Sequence, residues 1–419
     1  MEETTAGPVA TPPLSGVARL ALLDSLRNRG FRFLLGSNVG AQLGVWSMNL
    51  ATGFLVYDVT GSKLQLGIIA SVNGVGTFFS SPVGGALADR FDRRKVVALS
   101  QSVMMTSALT MGLLVASGHI HLWHIYLLTF ITNSMFACFT PSRQAMVSDL
   151  IPGAGLTNAI GVNAVVMNAM QALAPAVGGR LLVHAGVQGV YYLMAGAYVL
   201  SICMILSVYK IPAHPDSKRP KFIESVRAGA AYARSQREIA TVLLVIAIFA
   251  TLGNSYQNLM AAYTKDVLHL GGGWLGNLQA LAGVGAMLGA LVIAVTGDSI
   301  PKGKAMLLWT VADGICLICL GVFAHLGSAI PILIFIGLSG ASVISLGNVL
   351  LQHITSPEYR GRVMALYFLM FAFQPLGTLP AGAIADRIGL RETFAISGGL
   401  IIAITAVIAI RAPHLRRAR

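Results

Sequence analysis

Residues 64–95 read LQLGIIASVNGVGTFFSSPVGGALADRFDRRK. The first 25 of them, Leu64 to Ala88, carry no ionisable side chain, whereas six of the last seven are charged. An α-helix of 25 residues is about 37 Å long at a rise of about 1.5 Å per residue. That length crosses a hydrocarbon core of about 30 Å, and in hydrocarbon only internally bonded structures such as helices satisfy their backbone groups. The segment therefore reads as one transmembrane helix delivered onto a basic loop.

Outward from this segment the pattern repeats. Before it lies Phe33–Val56; after it come Val96–Ser117, Leu122–Thr140, Leu156–Gly179 and Val187–Tyr209. Lys210 to Glu238 is polar and basic, with Pro212, Pro215 and Pro220. Then follow Ile239–Tyr263, Gly273–Thr296, Ala305–Phe323, Ile330–Ile354, Val363–Ala385 and Thr393–Ile410. The expectation is an all-α membrane protein of twelve transmembrane helices in two six-helix bundles. Its domains are a cytoplasmic tail 1–30, an N-terminal bundle 31–210, a linker 211–238 with a surface helix from Phe222 to Arg237, a C-terminal bundle 239–411 and a basic tail 412–419. Loop charge agrees. Of 29 Lys and Arg, 24 fall on one alternate set of segments, and only Lys63, Arg180, Lys265, Arg387 and Arg391 fall on the other. The positive-inside rule then places both termini in the cytoplasm and the chain, multi-pass, in the cell membrane.

Composition narrows the class. The 419 residues are 55% hydrophobic and 11% charged, against about 25% charged in soluble domains. The net charge of +13 sits beside apolar spans, which argues for topology and anionic lipid heads and against nucleic acid. Cys138, Cys203, Cys316 and Cys319 all fall inside spans and form no secreted disulfide framework. His119, His121 and His124 cluster before the fourth span as an interfacial loop, and no metal or cofactor is expected. No G-x-x-x-x-G-K-[ST], H-E-x-x-H or G-x-S-x-G occurs, so neither ATP hydrolysis nor a motif-bearing hydrolase is expected. The first 30 residues hold no apolar h-region and read as a retained tail.

Polar residues inside spans face protein or a water-filled cavity. The first span carries Asn38, Gln42, Trp46 and Asn49; the seventh Asn254, Gln257 and Asn258; the tenth Ser342, Ser345, Asn348 and Gln352; the eleventh Tyr367, Phe371, Gln374 and Thr378. Asn133, Asn168 and Gln171 add to them. Each alone is equally a helix–helix hydrogen bond; as a set they outline a neutral cavity suited to an uncharged or amphipathic molecule. Asp313, deep in the ninth span, and Asp58, at the outer end of the first, are the two carboxyl candidates for proton coupling. In the loop after Ala88, Gly85 is expected to allow a close helix contact. Asp89 can meet the positive end of a neighbouring helix, and Arg90, Arg93 and Arg94 can pair with an acid such as Asp149.

At this point a family enters. Gly85 to Lys95 resembles the loop-2/3 signature of the major facilitator superfamily, G-x-L-A-D-R-x-G-R-R, at Gly85, Leu87, Ala88, Asp89, Arg90, Arg93 and Arg94, with Asp92 in place of a glycine. Asp298, Lys302 and Lys304 form a weaker echo between the eighth and ninth spans. Pro357–Met364 and Gly382–Gly389 are similar to further signatures of the superfamily. Gly161, Pro175, Gly178 and Gly179 resemble the antiporter signature G-x8-G-x3-G-P-x2-G-G, with Met170 and Ala174 replacing two glycines. They predict a kinked fifth span that packs tightly and seals one face. Pro141–Pro152 resembles the branch of enterobactin-type exporters and macrolide efflux proteins. The resemblance implies the major facilitator fold, a cavity lined by spans 1, 4, 7 and 10, and a functional monomer. It also implies secondary active transport by alternating access around a midplane site, as proton-linked efflux of a drug-like or siderophore-like molecule. The alternative is an importer or facilitator of a neutral metabolite.

Overall fold

The computed structural model describes residues 25–209, 222–296 and 301–413. The tail before Ser25, the stretch 210–221, Asp298 and the basic tail after Pro413 lie outside the described residues, as does the side chain of Asp89. The described chain is helical, without a strand, and eleven of its helical runs are long and apolar enough to cross a membrane.

The helices are α1 Arg29–Thr60, α2 Lys63–Arg90, α3 Arg93–Ala116, α4 Leu122–Leu150 and α5 Leu156–Leu206. Then come α6 Phe222–Ser235, α7 Arg237–Thr251, α8 Tyr256–Ala262, α9 Gly272–Thr296, α10 Lys302–Val322 and α11 Leu326–Ile354. The last three are α12 Arg360–Ala372, α13 Pro375–Ile388 and α14 Leu390–Arg411. Polar caps begin several of them. Asn28 accepts from the Phe31 amide, Ser62 from Gln65 and Asp92 from Arg94, each satisfying an amide that the helix leaves open.

Four departures from the sequence reading have local causes. First, the fifth and sixth spans are not separated by a loop: α5 runs 51 residues, about 76 Å if straight, and the non-helical residue within it is Gly186 (φ 68, ψ −175) rather than Pro175. A left-handed φ suits glycine, whereas the Pro175 backbone stays helical. Second, α4 continues to Leu150, so Arg143, assigned to a loop by its charge, lies in the helix and is 3% exposed, its guanidinium 5.1 Å from the Phe139 ring centre. Third, the seventh span is interrupted. A 3-10 turn, Gly253–Ser255, separates α7 from α8, and a π turn, Tyr263–Val267, ends it. The Ser255 hydroxyl bonds back to the Thr251 carbonyl, the local competition that bends helices. Fourth, the eleventh span breaks at Phe373–Gln374, because Pro375 has no amide proton and its ring displaces the carbonyl four residues earlier.

Packing within each half does not follow chain order. In the first half α1 lies on α5, α2 on α4, and α3 on α4 and α5; in the second, α9 lies on α11, and α10 on α11 and α14. Two seams join the halves, α5 against α9 and α2 against α13. Helix α6 docks on the second half, with Tyr232 stacked on Tyr359 at 4.2 Å and Gly229 against the Arg362 carbonyl.

Candidate functional site: a neutral cavity between two halves

A cavity of about 490 Å³ lies where the halves meet, within the size range of small-molecule sites. Trp46 and Asn49 reach it from α1, Asn133 and Phe136 from α4, and Gln171 and Pro175 from α5. The second half contributes Asn254, Gln257 and Asn258 around the broken seventh span, and Phe371 and Gln374 from the broken eleventh. The breaks matter because they free backbone groups at the cavity wall. The Gln374 amide donates to the Asn254 carbonyl at 3.2 Å, tying one break to the other. No Asp, Glu, Lys, Arg or His is among the lining residues. The wall offers amides, the hydroxyls of Thr52, Thr77 and Tyr256, and apolar and aromatic faces, so no fixed counter-charge awaits an ionic substrate.

The cavity is not lined as the sequence suggested throughout. Asn73 on α2 and Gln279 on α9 line it, and Asn133 donates to Asn73 at 2.8 Å. The other amides of these spans, Gln65 and Asn277, stand eight and two residues away, so no three- or four-residue stripe announced either. Asn38, Gln42, Ser345 and Asn348 are not among the lining residues. Asn38 and Gln42 are buried, and Asn38 donates to Asn163. Asn348 accepts from Gln352 one turn on. The tenth span, α11, contributes no lining residue, whereas helices of the second, fifth, eighth and eleventh do.

One end of the molecule is clamped across the halves. Asp386, near the end of α13, accepts hydrogen bonds from the Ser62 hydroxyl (2.7 Å) and from the Lys63 (2.8 Å) and Leu64 (2.9 Å) amides. A carboxylate at the first turn of α2 meets open amides and the positive end of the helix. Lys63 also pairs with Asp266 at 2.9 Å, and Lys265 with Asp58 at 3.1 Å. Below this clamp the α2–α13 seam is tight: a Cβ on Gly382 would lie 2.5 Å from the Lys63 carbonyl, and one on Gly67 2.8 Å from the Leu379 Cα. The sequence signal for Asp386 was there, in the hexapeptide Gly382–Arg387. Its partners, the amides of Lys63 and Leu64, have no side-chain signature.

The second seam holds two of the four antiporter-like residues, Pro175 and Gly179. A Cβ on Gly179 would lie 2.7 Å from the Gly276 Cα, and Gly276 packs on the Pro175 carbonyl. Gly178 makes ordinary contacts at 3.7 Å with Leu50 and Ser47, and Gly161 has open space around it.

At the opposite end of α2, Arg93 pairs with Asp149. Arg94 binds Asp92 at 2.9 Å and the Val208 carbonyl at 2.7 Å. All of these belong to the first half, and Arg90 is exposed. Asp92, where the superfamily signature has glycine, has φ −56 and needs no glycine; it caps α3. Its hydrogen bond from Arg94 holds its carboxyl below the usual carboxylate range. Gly85 does not make the close helix contact expected of it: a Cβ there would meet nothing within 4 Å. Its neighbour Gly84 faces α4 instead, 2.6 Å from the Cys138 Cα by the same measure.

Two broken-helix halves around a neutral cavity, clamped at one end, define a multi-pass membrane transporter of the major facilitator type. The chain belongs to the family described as transmembrane secretion effector, whose pattern matches residues 21–418. It is 26% identical over 403 residues to the multidrug efflux pump Tap of Mycobacterium tuberculosis, covering 93% of this chain and 95% of that protein. It is 24% identical over 368 residues to macrolide efflux protein A of Streptococcus pyogenes, covering 86% and 90%. A crystal structure of a mutant nucleoside transporter NupG superposes with a TM-score of 0.77 at 14% identity, over 91% of this chain and 99% of that one.

Proposed function

We propose that the protein exports an amphipathic or neutral small molecule, drug-like or siderophore-like, from the cytoplasm across the cell membrane in exchange for protons. The observation that carries this reading is the charge-free wall of amides and aromatics between the halves. Such a wall recognises a molecule by hydrogen bonds and apolar area, not by charge. Relatives named for macrolide and multidrug efflux support the outward direction.

The mechanism is alternating access by a functional monomer. Its domains are the tail 1–30, bundles 31–210 and 239–411, the linker 211–238 and the tail 412–419, with both ends cytoplasmic. The break at Gly186 supports reading α5 as two crossings and the total as twelve. The clamp around Asp386 closes the outer end while the cavity exchanges with the cytoplasm. In the opposite state Asp89 meets the first turn of a neighbouring helix as Asp386 meets α2 here, with Arg90, Arg93 and Arg94 beside it. Of Gly161, Pro175, Gly178 and Gly179, Pro175 and Gly179 lie at the seam about which the halves rock, and Gly178 packs α5 on α1. Asn38, Gln42, Ser345 and Asn348 serve other stages of the path. For proton coupling, Asp313 is fully buried, whereas Asp58 is about half exposed and paired with Lys265, which supports Asp313.

Inside-out vesicles with an imposed acid-inside gradient test the proposal. Erythromycin and a panel of neutral amphipaths should accumulate in the lumen, and collapse of the gradient should release them. Gradient-independent equilibration, or no movement, sinks the exchange mechanism. Asp89→Asn should insert normally and transport at less than about a tenth of the wild-type rate, a loss of about 1.4 kcal/mol.

A further inference from the structure

A buried carboxyl stands behind the cavity wall rather than in it. Asp313 on α10 is 0% exposed. Its Oδ1 accepts a hydrogen bond from the Ser339 hydroxyl of α11 at 3.1 Å, and its Oδ2 has no hydrogen-bond partner. Oδ2 faces Gly253: a Cβ on that glycine would lie 2.7 Å from it. Gly253 opens the 3-10 turn that breaks the seventh span, and Asn254, the next residue, lines the cavity. The Asn254 carbonyl receives the Gln374 amide, and Gly377 packs on the Thr251 carbonyl. One carboxyl thus touches the back of a helix break whose front is cavity wall and whose side is fastened to the second break.

The surroundings leave Asp313 without a compensating charge. On its own helix, Cys316 senses it, and beside the turn the Tyr256 phenol does. Helix α7 brings Phe249 to Gly253. Helix α11 presents Ser339, and α14 presents Gly398, Ile401 and Ile402 along Gly314, with Arg391, Glu392 and Arg411 at its ends. Among the described residues no basic group pairs with Asp313. A carboxylate only accepts hydrogen bonds, whereas a carboxylic acid also donates one. In a site this enclosed the two forms demand different neighbours, and an unanswered polar atom is costly. The adjustable neighbour is the turn, since a 3-10 turn inside an α-helix marks a hinge.

We infer that the proton on Asp313 sets the geometry of the Gly253–Ser255 break and, through it, the presentation of Asn254, Gln257 and Gln374 to the cavity. Asp313 is then a positioning residue that links proton occupancy to substrate binding without touching substrate. This deepens the exchange mechanism, and depends on it for a purpose but not for detection.

The test needs no substrate. In a background where all four cysteines are replaced, Asn254→Cys reports on the break, and Thr77→Cys, on the cavity wall of the first half, reports on general access. Each alkylation rate with a maleimide is divided by the thiolate fraction from that cysteine's own measured pKa, so that the ratio is free of the pH dependence of the thiols. Between about pH 5.5 and pH 8.5 this ratio should change by at least about threefold, be flat in Asp313→Asn and titrate again in Asp313→Glu. Ser339→Ala, which removes the hydrogen bond to Oδ1, should move the midpoint and keep the change. An equal change in Asp313→Asn, or a flat ratio with Asp313 present, overturns the inference. If Asp313→Asn does not fold, an unmoved midpoint in Ser339→Ala overturns it. A ratio that titrates while imposed gradients move nothing in vesicles would leave this assignment standing and remove the exchange mechanism alone.

Discussion

The chain writes nearly the same six residues twice. Gly85-Ala-Leu-Ala-Asp-Arg90 ends α2, and Gly382-Ala-Ile-Ala-Asp-Arg387 ends α13. The two helices run antiparallel against each other, with Gly382 on Lys63, Gly67 on Leu379 and Gly74 on Pro375, so the copies lie at opposite ends of one seam. At the Gly382 end the halves touch: the glycine abuts a carbonyl of the other half, and the aspartate caps its first turn. At the Gly85 end the glycine faces open space. Nearly identical local sequence therefore gives, among the described residues, an engaged and a disengaged end. The difference lies in which partner is within reach, and one conformation offers it at one end only.

The largest expected effect breaks the engaged end sterically. Gly382→Leu cannot coexist with the Lys63 carbonyl, so it should abolish transport and leave that end open, measured by labelling of a cysteine placed at Asn49. Gly85→Leu, which meets nothing here, should fold with unchanged thermal stability and still lose transport if the other state brings its end together. Normal transport in Gly85→Leu would show that the two copies are not used alternately.

Next comes the charge. Asp386→Asn keeps the size of the side chain but loses its attraction for the open amides of α2. Interactions of about 1 kcal/mol at a helix end shift an open–closed equilibrium about fivefold. Accessibility at the clamped end should rise by about that factor, and high salt should raise it more in the wild type than in the variant, which keeps the Lys63–Asp266 and Lys265–Asp58 pairs.

Smaller still is the pH effect at the disengaged end. Arg94 holds the Asp92 carboxyl below its ordinary value of about 3.9, so the contribution of Asp92 to stability is complete above that value. It disappears as pH falls through the lowered folded value. Thermal unfolding in detergent should therefore separate wild type from Asp92→Asn near neutral pH, and the two curves should converge below about pH 3.9. The smallest effect is expected at Lys265. Its pair with Asp58 is about half exposed, and exposed pairs contribute about 0–1 kcal/mol. Lys265→Gln should change transport less than twofold.

Much of this architecture is visible in the sequence because lipid enforces it. Spans, loops and basic segments follow from the length and charge of each apolar run, and most helices begin and end within a few residues of those runs, α4 and α5 excepted. What is not visible depends on contact. The bend at Gly186 looked like a loop, since a short weakly apolar stretch reads the same whether it leaves the helix or bends it. Arg143 looked like loop charge because a run of apolar residues stops before it, but the helix continues and buries it. In the cavity, Trp46, Asn49, Asn133, Asn254, Gln257, Asn258 and Gln374 come together, whereas Asn73 and Gln279 had no helical repeat to mark them. Ser345 and Asn348 had the repeat without the position, because helical spacing defines a face and not what that face looks upon.

The meeting of Gly179 with Gly276 has a mechanical consequence. Two bare backbones in contact have no side chains to interlock, so they approach closely and no side chain has to be repacked when one helix turns against the other. In the proposed mechanism the torque that turns the halves then comes from groups at the ends and within the second half, and bulk added at Gly179, which meets Gly276 and Gly273, should jam the axle without touching the cavity wall.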